Sequence, residues 1–266
     1  MSVGSTRQTN VKERTGVAAE AIEMAPLLGG QRRSQEFRGG VVALDGVDLA
    51  LPSGDLACVI GPNGCGKTTL LNVVSGAFAP DADKVWFRGE DITGLAPHRI
   101  ARKGIGRKFQ VPGIYLALTV AENLEVPLVA QAAARHWRRA PHERLGELLA
   151  MIQLADKADT PAAELAHGEK QWLEIGMLMA ADTDLMLLDE PTAGMTITET
   201  ERTADLIRSI ACETGKTVLA IEHDMNFVRR LECRVMVMMR GRMFREGSYD
   251  EVQADAEVRR AYLGEL

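Results

Sequence analysis

The stretch GPNGCGKTT, from Gly61 to Thr69, constrains this chain more than any other. It fits the pattern G-x-x-x-x-G-K-[ST] and follows Leu56 to Ile60, an apolar run that reads as a buried strand. After it comes TTLLNVVSG, which reads as a helix closed by Gly76, a glycine where a left-handed cap is wanted. Strand, glycine loop and helix in that order make a phosphate cradle. Glycine carries no side chain to block an anion, so the backbone N–H groups of Gly61, Pro62, Asn63, Gly64, Cys65 and Gly66 (proline excepted) can turn inward around phosphate oxygens. Lys67 supplies a point charge, Thr68 offers a hydroxyl to Mg2+, and Thr69 completes the motif. The helix dipole points the same way. A turn that merely joined strand to helix would leave Gly-Lys-Thr-Thr unexplained.

The chain has 266 residues, enough for one large α/β domain or two small ones. Hydrophobic residues make up 46% and aromatics 5%, which suits a core of aliphatic packing. Apolar strands return at Leu185 to Leu188 and Val218 to Ile221, each followed by a helical pattern. That alternation predicts a parallel sheet covered on both faces. KVWFRGEDITG alternates like an antiparallel hairpin, and residues 119–179 are mostly helical in pattern. Within them, PHERLGELLAMIQLADKA reads as one amphipathic stretch. RVMVMMRGRMFREG predicts a hairpin turning at Arg240-Gly241, and VQADAEVRRAYLG a closing surface helix. The first ~35 residues are polar and read as a poorly ordered tail. In it, Ala21 to Leu28 could pair as an edge strand within the limit set by Pro26, and Glu13, Glu20 and Glu23 count against a targeting peptide.

A net charge of −6 argues against a chain that coats nucleic acid, which needs a basic field. No run approaches the ~20 apolar residues of a membrane span, and no signal-peptide core opens the chain, so a cytosolic location is expected. Cys58, Cys65, Cys212 and Cys233 show no close pairing and the histidines are scattered, so neither zinc nor structural disulfides are expected. The run ending in Asp189-Glu190 closes a strand with two acids. Beside a phosphate loop, Asp189 can hold the Mg2+ shell and Glu190 can orient and polarise the attacking water. His223, in IEHD, follows the next strand and is expected at the same edge, in reach of a γ-phosphate. Cys65 stands beside Lys67 at a helix N-terminus, two influences that favour thiolate, although a small residue that simply fits is the plainer reading.

GPNGCGKTT, Gln110 in GRKFQ, LAHGEKQ, LMLLDEPT and IEHD, in that order, resemble the nucleotide-binding subunit of ATP-binding-cassette transporters from about Phe37 onward. GEDITGLAPHRIARKGIGRKFQ is similar to the branched-chain amino acid and urea uptake branch. KQWLEIGMLMA, DEPTAGMT and VRRAYLGEL look closest to the urea type. The resemblance implies a P-loop cassette spanning 36–266, with a RecA-like parallel-sheet core, an antiparallel β subdomain and an α-helical subdomain near 111–180. It implies ATP and Mg2+ as cofactors, with Phe37 stacked on adenine. Gln110 would touch Mg2+ and the attacking water. The helical lobe would receive a helix from a membrane permease subunit, and a second ATPase subunit, in this branch usually non-identical, would pair with the chain. The implied work is ATP hydrolysis driving solute import at the inner face of the plasma membrane, without nucleic acid. Urea is the solute by this resemblance, with branched-chain or other amino acids as the alternative. A relative acting in translation or DNA repair, or a regulatory subunit that has lost hydrolysis, are the rival readings.

One departure bears on mechanism. Where the family carries Ser-Gly-Gly-Gln, this chain has Ala166-His167-Gly168-Glu169, a segment that would face the partner's nucleotide in trans. Ser-x-x-Gln is a capping box; here Glu169 can still reach back, but Ala166 cannot cap, at a cost of ~1 kcal/mol. The histidine ring could supply a compensating hydrogen bond. Thr196 likewise stands where many family members have an aspartate that bridges the two subunits.

Overall fold

The computed structural model describes residues 22–24, 36–37, 41–80, 84–109, 113–135 and 141–260. Most of the tail expected at 1–35, Gln110 and the end of VRRAYLGEL lie outside the described residues. Short antiparallel pieces come first. They are β1 (Ile22–Met24), β2 (Glu36–Phe37), β3 (Val41–Val42) and β4 (Leu49–Leu51), with β1 paired to β4 and β2 to β3. Within the stretch that could pair as an edge strand, Ile22–Met24 does so, and the rest of it lies outside the described residues. Then come β5 (Leu56–Ile60), α1 (Lys67–Val74), the hairpin of β6 (Trp86–Phe87) and β7 (Glu90–Asp91), α2 (Pro97–Lys103) and β8 (Ile105–Lys108). Three helices follow: α3 (Val120–Arg135), α4 (Pro141–Met151) and α5 (His167–Ala180). The chain ends with β9 (Leu185–Asp189), α6 (Ile197–Thr214), β10 (Thr217–Ile221), α7 (Met225–Leu231), β11 (Arg234–Met239), β12 (Arg242–Gly247), α8 (Tyr249–Ala254) and α9 (Ala256–Val258).

The main sheet has the order β12-β11-β5-β10-β9-β8, parallel throughout except for β12 at one edge. Parallel neighbours require crossovers, and the helices supply them. Strand residues alternate between two cores. Cys58, Ile60, Met186, Leu188, Val218 and Ala220 pack with α3 to α7. Ala57, Val59, Leu185, Leu187, Leu219 and Ile221 pack with α1, α2 and the antiparallel strands. The carboxyl ends of β5, β8, β9 and β10 therefore share one rim, where ligands of open α/β sheets collect.

Two expected helices are shorter than their patterns. The stretch PHERLGELLAMIQLADKA stops at Met151, where Gln153 turns left-handed (φ 57°) and the Leu154 N–H donates to Leu149 O (3.0 Å). That is a Schellman ending, which periodicity alone does not reveal. The closing helix is split at Asp255, whose Oδ1 caps the N–H groups of Glu257 and Val258 (2.7 and 3.1 Å).

Candidate active site

Gly61 to Gly66 leave the buried end of β5 and wrap over the start of α1. A Cβ on Gly61 would fall 2.1 Å from Met238 O, and Gly66 sits at φ 109° with only 2.3 Å between its notional Cβ and Ala43 O. Only glycine fits either place. At exposed Gly64 a Cβ would meet nothing within 4 Å, so open space borders the loop there. Lys67 is buried and donates from Nζ to Gly61 O (2.7 Å) and Pro62 O (3.1 Å), carbonyls that a phosphate oxygen can replace. Thr68 is exposed and Thr69 half-buried. At Cys65 the plainer reading of a small residue that fits is the one favoured: burial pushes the thiol above its usual range, and the nearby Lys67 charge does not overcome it.

Asp189 ends β9, buried. Its Oδ2 accepts from Arg107 (2.9 Å), while Oδ1 is buried with no protein partner. An orphaned acceptor beside a phosphate loop fits a cation or its water shell. Glu190 follows at φ 46°, left-handed for a non-glycine residue, with its N–H donating to Ile221 O (3.0 Å). This places the carboxyl beside β10, and His223 Nδ1 lies 3.8 Å from Glu190 Oε1. The sheet thus brings Asp189, Glu190 and His223 together as expected from their strand ends.

At the opening of α5, Ala166 occupies the cap position without a side-chain hydrogen bond, while its N–H donates to Glu169 Oε2 (2.9 Å). Glu169 Oε1 accepts from Lys157 (2.5 Å). Partial burial opposes ionisation of Glu169, but these two donors outweigh it and hold its pKa below the usual value. His167 does not offer Nε2 outward; that atom lies 2.9 Å from Ala193 O, a carbonyl that can only accept. The ring is spent on a cis contact with the loop after Glu190. Gly168 is pressed against Glu199, since a Cβ there would fall 2.7 Å from Glu199 Oε1.

A family model described as "ABC transporter" matches residues 44–193, from just before the glycine loop to just past Glu190. The chain belongs to the ABC transporter family. A second model, "Branched-chain amino acid ATP-binding cassette transporter", matches residues 246–265. The cassette is 34% identical over 239 residues to the high-affinity branched-chain amino acid transport ATP-binding protein BraF of Pseudomonas aeruginosa, covering 85% of this chain and 94% of that protein. Its fold is similar to the ADP conformation of MJ1267, an ATP-binding cassette of an ABC transporter, with TM-score 0.77 and 28% identity over 94% of this chain and all of that one. The dimeric structure of MJ0796, a bacterial ABC transporter cassette, matches with TM-score 0.70 and 25% identity over 86% and 98%. The cassette is an ATPase subunit of a transporter.

Phe37 lies on β2, with its backbone in register with Val41. Sequence reasoning passed over residues that the cassette uses to hold the site. Arg107, between Asp189 and the pair Asn72 Oδ1 (2.6 Å) and Ser75 Oγ (3.2 Å), joins β9 to α1. Glu222, fully buried, takes both the N–H and hydroxyl of Thr192 (3.0 and 2.6 Å) and the N–H of His223 (3.1 Å). It therefore locks the loop after Glu190 to the end of β10.

Proposed function

We propose that this cassette powers an importer of the branched-chain amino acid type. The supporting observation is the match at residues 246–265 together with the likeness to BraF. The urea reading rested on KQWLEIGMLMA, DEPTAGMT and VRRAYLGEL, and the relatives favour its alternative. In the working site the loop from Gly61 to Thr69 holds the phosphates of ATP, and Lys67 exchanges Gly61 O and Pro62 O for phosphate oxygens. Asp189 Oδ1, Thr68 and Gln110 would hold Mg2+, which neutralises charge on the phosphates when bound. Glu190 takes the proton of the attacking water, His223 hydrogen-bonds the γ-phosphate, and Phe37 stacks on the adenine.

The same reading divides the chain into a tail at 1–35 and a cassette at 36–266 with a helical lobe near 111–180. A groove of about 550 Å3, lined by Pro97, Ile105, Phe109, Gln131, Leu178 and Thr183, lies between that lobe and the edge formed by α2 and β8. Phe109 is half exposed there (53%), and the apolar floor suits a helix of the permease. No helix among the described residues is long and apolar enough to cross a membrane, so the cassette would sit on the cytoplasmic face by docking. A second ATPase subunit would cover Ala166, His167 and Ile197, the last 82% exposed. If the partner is non-identical, the altered stretch meets the partner's ATP and that half-site turns over more slowly.

The test is Mg-ATP hydrolysis by the purified chain, alone and assembled with its permease, followed by uptake of leucine and of urea. Hydrolysis with leucine uptake is expected. Urea uptake without leucine uptake would overturn the solute assignment, and absence of ATP binding would overturn the whole reading.

A further inference from the structure

β10 is buried along its whole length, and the residue that follows it is an acid, Glu222, with 1% of its surface exposed. If packing were the only task of that position, leucine would fill it more cheaply than a carboxylate. The backbone is fixed first: the Glu222 N–H donates to Val59 O on β5 (3.2 Å), two residues before the phosphate loop begins. The two carboxylate oxygens then serve different parts of the site. Oε1 accepts the N–H and the hydroxyl of Thr192 (3.0 and 2.6 Å), two residues past Glu190. Oε2 accepts the N–H of His223 (3.1 Å). Glu190 is held at φ 46° with its own N–H on Ile221 O (3.0 Å), so the short segment from Glu190 to Thr192 is gripped at both ends. The side chains that these grips carry come together, His223 Nδ1 lying 3.8 Å from Glu190 Oε1. A carboxylate presents two oxygens that both accept, whereas the amide of glutamine presents one acceptor and one donor.

We propose that Glu222 is a positioning residue for hydrolysis, whose single carboxylate sets the spacing between the base Glu190 and the γ-phosphate contact His223. It acts through the two residues it holds. In the step they serve, the water oxygen forms its bond to the γ-phosphorus while a water proton passes to the Glu190 carboxylate. The bond from the γ-phosphorus to the bridging oxygen breaks, leaving ADP and phosphate. Base and phosphate contact must stand at one separation for that transfer, and misplacing reacting groups by about 1 Å costs ~100-fold in rate. The grip on the phosphates belongs to a different strand and loop, β5 and residues 61–69. The effect of Glu222 therefore falls on turnover and not on ATP affinity.

The inference rests on Glu190 and His223 acting as proposed above, and the experiment separates the two. Steady-state hydrolysis of Mg-ATP by the full chain, assembled with its permease, gives kcat and KM. Glu222→Gln keeps the shape and one acceptor, so it can hold Thr192 or His223 but not both. Its kcat should fall at least ~10-fold, with KM within about twofold of native. In a Glu190→Gln background the same change should lower the remaining rate by less than about threefold, because the base through which it acts is already gone. A general loosening of the fold would instead lower both backgrounds by one factor. If Glu222→Gln does not fold, Thr192→Val decides. It removes only the hydroxyl from Oε1, and its kcat should fall at least ~3-fold with KM unchanged. The proposal is overturned by a folded Glu222→Gln with kcat within about twofold of native, or by an equal loss in both backgrounds. Where that variant does not fold, native turnover in Thr192→Val overturns it. Hydrolysis that Glu190→Gln leaves untouched would remove the base assignment itself, and this inference with it.

Discussion

Glu190 is held in a left-handed conformation directly before Pro191, where the preceding residue already has few backbone choices. Such strain persists only where surrounding bonds fix it, here the Glu190 N–H to Ile221 O and the grip of Glu222 on Thr192. Glu190→Gln keeps the side-chain shape and removes the base. Steady-state hydrolysis should fall at least ~100-fold while ATP affinity and the urea midpoint of unfolding stay unchanged. Cys65 supplies a second prediction. With its pKa raised by burial, its alkylation at pH 7.5 should be slower than that of exposed Cys212, with or without Mg-ATP, as counted by mass spectrometry. The glycine loop, Asp189, Glu190 and His223 were readable because each sits at a strand end, and strand order alone decides their meeting. Arg107 and Glu222 were not readable, because their roles depend on partners 82 and 30 residues away.

Among the elements, α5 and α6 show opposite solutions at their first turns. Thr196 caps α6, taking the N–H of Glu199 (3.3 Å) while Glu199 returns to the Thr196 N–H (2.9 Å). A threonine at this position is explained by the cap. α5 has only the returning half, through Glu169. Ala166→Ser should raise stability by ~1 kcal/mol in urea denaturation. It should also speed hydrolysis in the assembled transporter if the partner's half-site is the slow one. The caps also set an acid limit. Glu199 is held below its usual pKa chiefly by the Thr196 N–H, with the Thr196 hydroxyl adding to it. A depressed folded pKa contributes stability above the unfolded value, ~4.3, and loses it as pH falls through the folded one. Urea midpoints should therefore decline below about pH 4.5, and Glu199→Gln should flatten part of that decline. Patterning gave the existence of most helices here, but not the end of α4 or the break at Asp255. Those depend on one left-handed residue and one capping carboxylate.

For the whole molecule, Arg107 joins β8, β9 and α1 through a buried ion pair whose side chains are 6% and 3% exposed. Arg107→Leu leaves Asp189 buried and uncompensated, which should cost about 3 kcal/mol in urea denaturation and weaken Mg-ATP binding. Sheet order has a further consequence, for time. β5, which carries the phosphate loop, lies between β10 and β11, both made much later. The Cys65 carbonyl is then held by the Gly241 N–H at the tip of the last hairpin (2.9 Å). At ~5–20 residues per second, the strand would wait roughly eight to thirty seconds on the ribosome before either neighbour exists. During that wait Leu56 to Ile60 is an unpaired apolar segment, and a nascent chain stalled before residue 217 should depend on a chaperone that covers it.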